Sequence, residues 1–246
     1  MPVVRFDEIG STNAEALARA TGPAPCWFVA TRQTQGRGRR GRAWSSEPGN
    51  LYASLLLVQP APAARLPELC FVASLALHDA VRDVTGIDPL RIGLKWPNDV
   101  QIDGAKLAGI LLEAQKGPDG SMAVIIGMGV NVVAAPEGLP YPAASIAALG
   151  WDVSPETILA TLTDEWVDAI ELWDNGRNVA DILALWRESA AGIGAPVAVS
   201  RDGEVVRGVF ETIDDAGRLI VRANDNSRVA ITAGDVHFGA TASVRA

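Results

Sequence analysis

Cysteine, histidine and lysine are scarce in this chain of 246 residues, which has two cysteines, two histidines and, by count, three lysines against eighteen arginines. Cys26 and Cys70 stand far apart in apolar surroundings. That suits buried free thiols in a reducing compartment and argues against a disulfide framework. His78 and His237 have no cysteine or second histidine close by, so zinc lacks a ligand set and no protein-held metal is expected. His78 falls in a helical stretch, where a surface or capping role is expected. Long apolar runs are also missing: none approaches the ~20 residues that span a bilayer. The opening MPVVRFDEIG carries Arg5, Asp7 and Glu8 where an export signal needs apolar residues. A cytoplasmic protein with no membrane partner is expected. No internal repeat, heptad array or low-complexity tail is apparent. The net charge of −8 denies the chain a broad basic surface for nucleic acid.

What remains is a chain that is 48% hydrophobic, long enough to bury a substantial core. Val3 to Ile9 reads as a strand. Thr12 to Glu15 then matches a capping box with Thr12 as N-cap, opening a helix to about Ala20. CWFVATR and LYASLLLV read as strands. Leu66 to Val84 has helical apolar spacing and predicts a long core helix. RIGLKW, VQID, KLAGILLEAQ and MAVIIGMGVNV follow as strands in antiparallel succession, turning at Asp103-Gly104 and at GPDG. Ser154 and Pro155 open a helix through TILATLTDEWVDAIELW, and VADILALWRES predicts another. Beyond AAGIGAP the pattern changes to short β-rich runs (PVAVSR, VVRGVFETI, RLIVRA, RVAITA) divided by RDGE, DDAG and NDNS, the signature of a small antiparallel barrel. The boundary falls near Gly192, giving units 1–191 and 192–246.

The most distinctive stretch is Gly36 to Arg42, GRGRRGR. It satisfies G-x-G-x-x-G, but the helix on which a dinucleotide pyrophosphate rests is missing, since RAWSSEPGN follows. Arg42 and Ala43 stand where a P-loop needs Lys and Ser or Thr. Arginine and glycine segments that bind RNA repeat over tens of residues in basic chains; this is one copy in an acidic chain. A flexible loop closing over a small polyanion fits best, with arginines as forked donors to carboxylate or phosphate and glycines letting the backbone move.

Two of the three lysines, Lys95 and Lys106, fall in the other distinctive stretches, KWPND and KLAGILLE. Lysine is a compact point charge, suited to bridging oxygens that move during a reaction. Asp99 at the strand end faces Lys106 across a short hairpin. Trp96 to Asp99 reads as a strand end followed by a tight turn, with Pro97 at its first corner, beside Asn98. Trp44 and Trp96 could each wall a flat ligand. Gly127 and Gly129 in GMGVNV invite close approach of a ligand or another backbone.

In order and spacing, STN, Gln33 ahead of GRGRRGR, KWPND, KLAGILLE and GMGVNV resemble the biotin protein ligases, and the likeness covers nearly the whole chain. The resemblance implies an α+β fold of the class II synthetase-like type: a central mixed, largely antiparallel sheet flanked by helices, then an SH3-like barrel. It implies ATP-dependent formation of biotinyl-AMP and transfer of biotin to a lysine of a biotin carboxyl carrier protein, with Mg2+ held mainly by the phosphates. Ser11, Thr12, Asn13 and Gln33 would meet the biotin head. Gly36, Arg37, Gly38 and Arg39 would form the loop over biotin and its adenylate. Lys106, with Gly109 close by, would contact carboxylate and phosphate. Arg39, Arg42, Trp44, Lys95, Trp96, Asn98 and Asn131 would serve the nucleotide. Asp99 would orient the carrier lysine or take its proton. Many members carry an N-terminal winged helix; this chain begins at the catalytic strand, so no DNA partner is expected, while exposed sheet edges leave room for a homodimer. The rival readings are a lipoate or octanoate ligase of the related fold, and a non-catalytic arginine-loop protein.

Overall fold

A computed structural model describes residues 1–22, 24–117, 120–201 and 204–238. Pro118-Asp119 and Asp202-Gly203 of the turns expected at GPDG and RDGE, like the last eight residues of the second unit, lie outside the described residues.

Seven strands form the main sheet: β1 (Val3–Ile9), β2 (Cys26–Gln33), β3 (Leu51–Val58), β4 (Ile92–Lys95), β5 (Asp99–Ile102), β6 (Ala105–Lys116) and β7 (Met122–Val130), in the order β1-β2-β3-β7-β6-β5-β4. Only β1 and β2 run parallel, so the sheet is mixed. The interior strand β3 is buried on both faces from Leu51 to Leu57. Alternation sends Leu51, Ala53, Leu55 and Leu57, with Trp27 and Val29 of β2, into the large core under helices α2 (Leu69–Thr85), α3 (Pro155–Trp173) and α4 (Val179–Glu188). Cys26, Phe28 and Leu56 point the other way, to a smaller core beneath the short helix α1 (Thr12–Ala18).

The second sheet holds β8 (Pro196–Arg201), β9 (Glu204–Ile213), β10 (Leu219–Arg222), β11 (Arg228–Ile231) and β12 (Asp235–Phe238), in the order β11-β10-β9-β8-β12 and antiparallel throughout. The last strand, DVHF, is only four residues long and follows RVAITA after the single Gly234, and it was not among the strands expected from sequence.

Several local expectations are corrected. Ser11, not Thr12, caps α1: its Oγ accepts from the Ala14 N–H, while Glu15 pairs with Arg19 instead of reaching back to the cap. Residues Ala63–Glu68 form a 3-10 turn before α2, with Pro67 inside it. His78 is buried in α2 at 3% exposure, its Nδ1 2.8 Å from Asp79 Oδ1, rather than on the helix surface. The Trp96–Pro97 bond is cis. Both cysteines are free thiols. The β4 edge is covered, since Leu94 N–H donates to Ser189 O and Ala191 N–H to Leu94 O.

Candidate active site

Directly paired residues of neighbouring strands share a sheet face. Following the register across β4, β5, β6, β7 and β3 therefore gives one row: Lys95, Asp99, Gly109, Gly129 and Tyr52. The next row on the same face reads Leu111, Gly127, Ser54 and Phe28. This is the α1 face, and the two glycines make dents in it. A Cβ on Gly127 would lie 2.1 Å from Asn13 Oδ1, and one on Gly129 would lie 2.5 Å from the Trp44 ring. The close approach expected at these glycines is thus made by the side chains of Asn13 and Trp44.

Above the rows lies a cavity of about 440 Å³, a size that suits a small-molecule ligand. One end is uncharged and polar. Ser11, Thr12 and Asn13 are each at most 6% exposed. Thr12 N–H donates to Gln33 Oε1 at 2.8 Å, with the Thr12 hydroxyl 3.1 Å from the same oxygen. The other end is cationic. Lys106 Nζ pairs with Asp99 Oδ1 at 2.7 Å, and lies 5.4 Å from the Trp44 ring centre and 5.8 Å from that of Tyr141. Lys95 also lines it, 5.7 Å from the Phe238 ring centre, its pKa lowered chiefly by burial against the pull of Asp99. Burial is likewise the first cause that lowers the pKa of His237, which lines the cavity from β12.

The arginine segment folds over this end as a pinned hairpin. Trp44 N–H donates to Gly36 O and Gly38 N–H to Arg42 O, with Arg40 and Gly41 at positive φ in the turn. A Cβ on Gly36 would stand 2.6 Å from Trp44 O. Glycine serves close approach at Gly36 and a left-handed turn at Gly41. Arg39 Nη1 donates to Asn98 Oδ1 at 3.0 Å, and both Arg40 and Arg42 pair with Asp235 of β12. Arg37 lines the cavity with an exposed side chain.

Of the residues named from sequence, Ser11, Thr12, Asn13, Gln33, Arg37, Gly38, Arg39, Arg42, Trp44, Lys95, Trp96, Asn98, Asp99, Lys106 and Gly109 all line the cavity. Gly36 and Asn131 do not. Asn131 is 4% exposed and its Nδ2 donates to Ala144 O at 3.1 Å, bracing the segment that bonds Lys106 on both sides: Lys106 N–H donates to Pro142 O and Ala144 N–H to Lys106 O. Trp96 is 2% exposed, and its indole N–H is committed to Gly217 O at 2.9 Å, in the second unit. Sequence reasoning missed Tyr141, Asp235, His237 and Phe238, which reach the cavity through tertiary folding from segments without a motif.

Residues 6–131 match the Biotin/lipoate A/B protein ligase family, and residues 192–239 match the Biotin protein ligase C terminal domain. The biotin--[acetyl-CoA-carboxylase] ligase of Paracoccus denitrificans is 38% identical over 239 residues, 93% of this chain and 97% of that one. The chain belongs to the biotin protein ligase family. A second ligase of the same name, from Mycobacterium tuberculosis, is 36% identical, with 93% of this chain and 86% of the relative covered. Among solved structures, the Aquifex aeolicus biotin protein ligase in complex with biotin and ATP superposes with a TM-score of 0.82 at 23% identity, covering 97% of this chain and 99% of that one. This likeness extends the biotin protein ligase fold to both sheets. Among the described residues no cluster of His, Cys, Asp or Glu could hold a metal ion, and no helix is long and apolar enough to cross a membrane.

Proposed function

We propose that this ligase joins biotin to ATP as biotinyl-AMP and then passes the biotinyl group to a lysine of a biotin carboxyl carrier protein. The observation that carries the reading is the polarity of the cavity: a buried uncharged hydrogen-bonding end at Ser11, Thr12, Asn13 and Gln33, and a cationic end at Lys95, Lys106 and the arginine hairpin. A neutral urea ring fits the first and a carboxylate beside a triphosphate fits the second. Magnesium arrives as MgATP, held by the phosphates, since the donor set here is cationic where those phosphates would lie.

In the first step a biotin carboxylate oxygen forms a bond to the α-phosphorus, and the bond from that phosphorus to the bridging oxygen breaks, releasing pyrophosphate with the electron pair. A carboxylate needs no base at neutral pH. The barrier lies in bringing two anions together, and Lys106, Arg37 and Arg39 reduce it by placing positive charge where the new bond forms. In the second step the neutral amine of the carrier lysine attacks the anhydride carbonyl; the bond from that carbon to the phosphate oxygen breaks, AMP leaves, and the nitrogen loses a proton. Asp99 orients the amine or receives this proton.

Incubation with biotin, MgATP and a carrier domain, read by mass, is expected to add one biotinyl group and release pyrophosphate. Lipoic acid and octanoic acid in place of biotin are expected to leave the carrier unmodified. An unmodified carrier with biotin, or equal modification by lipoic acid, overturns the reading.

A further inference from the structure

Behind the polar end of the cavity lie two side chains that the sequence reading gave no role, Ser54 in an apolar strand and Glu113 at the end of KLAGILLE. Ser54 on β3 is fully buried, its Oγ 2.7 Å from Thr12 Oγ1 and 2.6 Å from Asn13 Oδ1. Glu113 on β6 stands beyond Asn13, whose Nδ2 donates to Glu113 Oε2 at 2.7 Å.

Counting protons fixes the direction of every bond in this chain. A carboxylate only accepts, so Asn13 must turn its NH2 toward Glu113 and its carbonyl oxygen toward Ser54. The carbonyl oxygen also only accepts. The single Ser54 proton is therefore spent on Asn13, and Ser54 Oγ can only accept from the Thr12 hydroxyl. That leaves no Thr12 proton for the longer 3.1 Å contact to Gln33 Oε1, which the Thr12 backbone N–H already serves. Three bonds in succession, from Thr12 through Ser54 and Asn13, point at the same negative charge and polarise one another. Toward the cavity, Thr12 Oγ1 is left able only to accept. Asn13 and Gln33 each keep one amide N–H able only to donate, since Gln33 uses its other on Ser46 Oγ at 3.1 Å.

We propose that Glu113 and Ser54 are positioning residues that set this proton order and thereby determine specificity for the biotin head. The inference rests on the biotin reading of the site. A cyclic urea offers N–H groups to an acceptor and a carbonyl to donors, matching the order that Glu113 imposes. An acid whose ring has neither would leave buried donors and an acceptor unpaired, a loss that sites built for hydrogen bonding convert into strong rejection. Without Glu113 the Asn13 amide is free to turn over, and the array loses its single order.

The test is calorimetric titration of the full chain with biotin and, separately, with ATP. Glu113→Leu and Ser54→Ala are expected to weaken biotin binding at least tenfold while shifting ATP affinity less than twofold. Glu113→Gln, whose amide oxygen can still accept from Asn13, is expected to recover most of the affinity lost in Glu113→Leu. The proposal is overturned if Glu113→Leu binds biotin as the unaltered protein does. It is equally overturned if biotin and ATP affinity fall together, or if Glu113→Gln is as weak as Glu113→Leu. Failure of the unaltered protein to bind biotin would instead overturn the function proposed above.

Discussion

Lys106 meets a carboxylate on one side and two aromatic faces on the others, and each contact holds the ammonium at a fixed place. Lys106 and Asp99 side chains are both less than a fifth exposed, so their charges are weakly screened. Under the proposed chemistry the two act in different steps. Lys106→Met is expected to slow pyrophosphate release about 100-fold or more, the size seen when one donor to a developing charge is lost. Asp99→Ala is expected to slow transfer from preformed biotinyl-AMP at least tenfold more than it slows adenylate formation; rapid-quench assays of the separate steps check this, and equal slowing would remove the step-specific role. Both residues were legible because each sits in a distinctive short stretch and the lysine stands out in an arginine-rich chain. Tyr141, Ser54 and Glu113 were not. A tyrosine between prolines and a serine in an apolar strand have unremarkable neighbours in sequence; Glu113 ends the distinctive KLAGILLE, but nothing there says that it meets Asn13, and all three partners are brought up only by the fold.

Strands were legible wherever one face is apolar, because a period of two survives in the sequence. Pairing order was not. The succession of β3 beside β7 rather than β4 depends on α2 carrying the chain across the large core. The start of α1 was misread by one residue since serine and threonine both cap well, and only the fold shows that Thr12 is spent on Gln33 and Ser54. The glycines of β7 carry a consequence of the same kind. A methyl at position 129 would meet the Trp44 indole at 2.5 to 2.7 Å and displace it from beside Gly109 and Lys106. Gly129→Ala is expected to weaken biotin binding at least tenfold with only a modest loss of melting temperature. Gly10→Ala, where a Cβ meets nothing within 4 Å, is expected to do neither. Titration calorimetry and thermal denaturation of both variants check the contrast.

At the scale of the molecule, the second sheet is joined to the first unit beside the cavity. Trp96 donates to Gly217 O, Arg187 Nε donates to Ile213 O, and a Cβ on Gly217 would press on Phe71. These contacts bury their partners and hold β12 at the cavity mouth, where Asp235 faces the arginine hairpin. Arg40 and Arg42 are 41% and 60% exposed, and both pair with that one carboxylate. Exposed pairs contribute little one by one, but a carboxylate shared by two guanidinia from one short hairpin limits how far that hairpin can open. Asp235→Ala removes the tether and leaves two arginines repelling each other in a turn already at positive φ. Trypsin, which cuts after arginine in segments that open, is then expected to cleave at Arg40 and Arg42 several-fold faster than in the unaltered protein. Biotin with MgATP is expected to slow cleavage in both proteins, because phosphate oxygens offer the same guanidinia a replacement anion. Timed digestion followed by mass analysis checks both parts. Cleavage that is unchanged by Asp235→Ala would mean that the backbone bonds from Gly36 to Trp44 alone hold the hairpin shut.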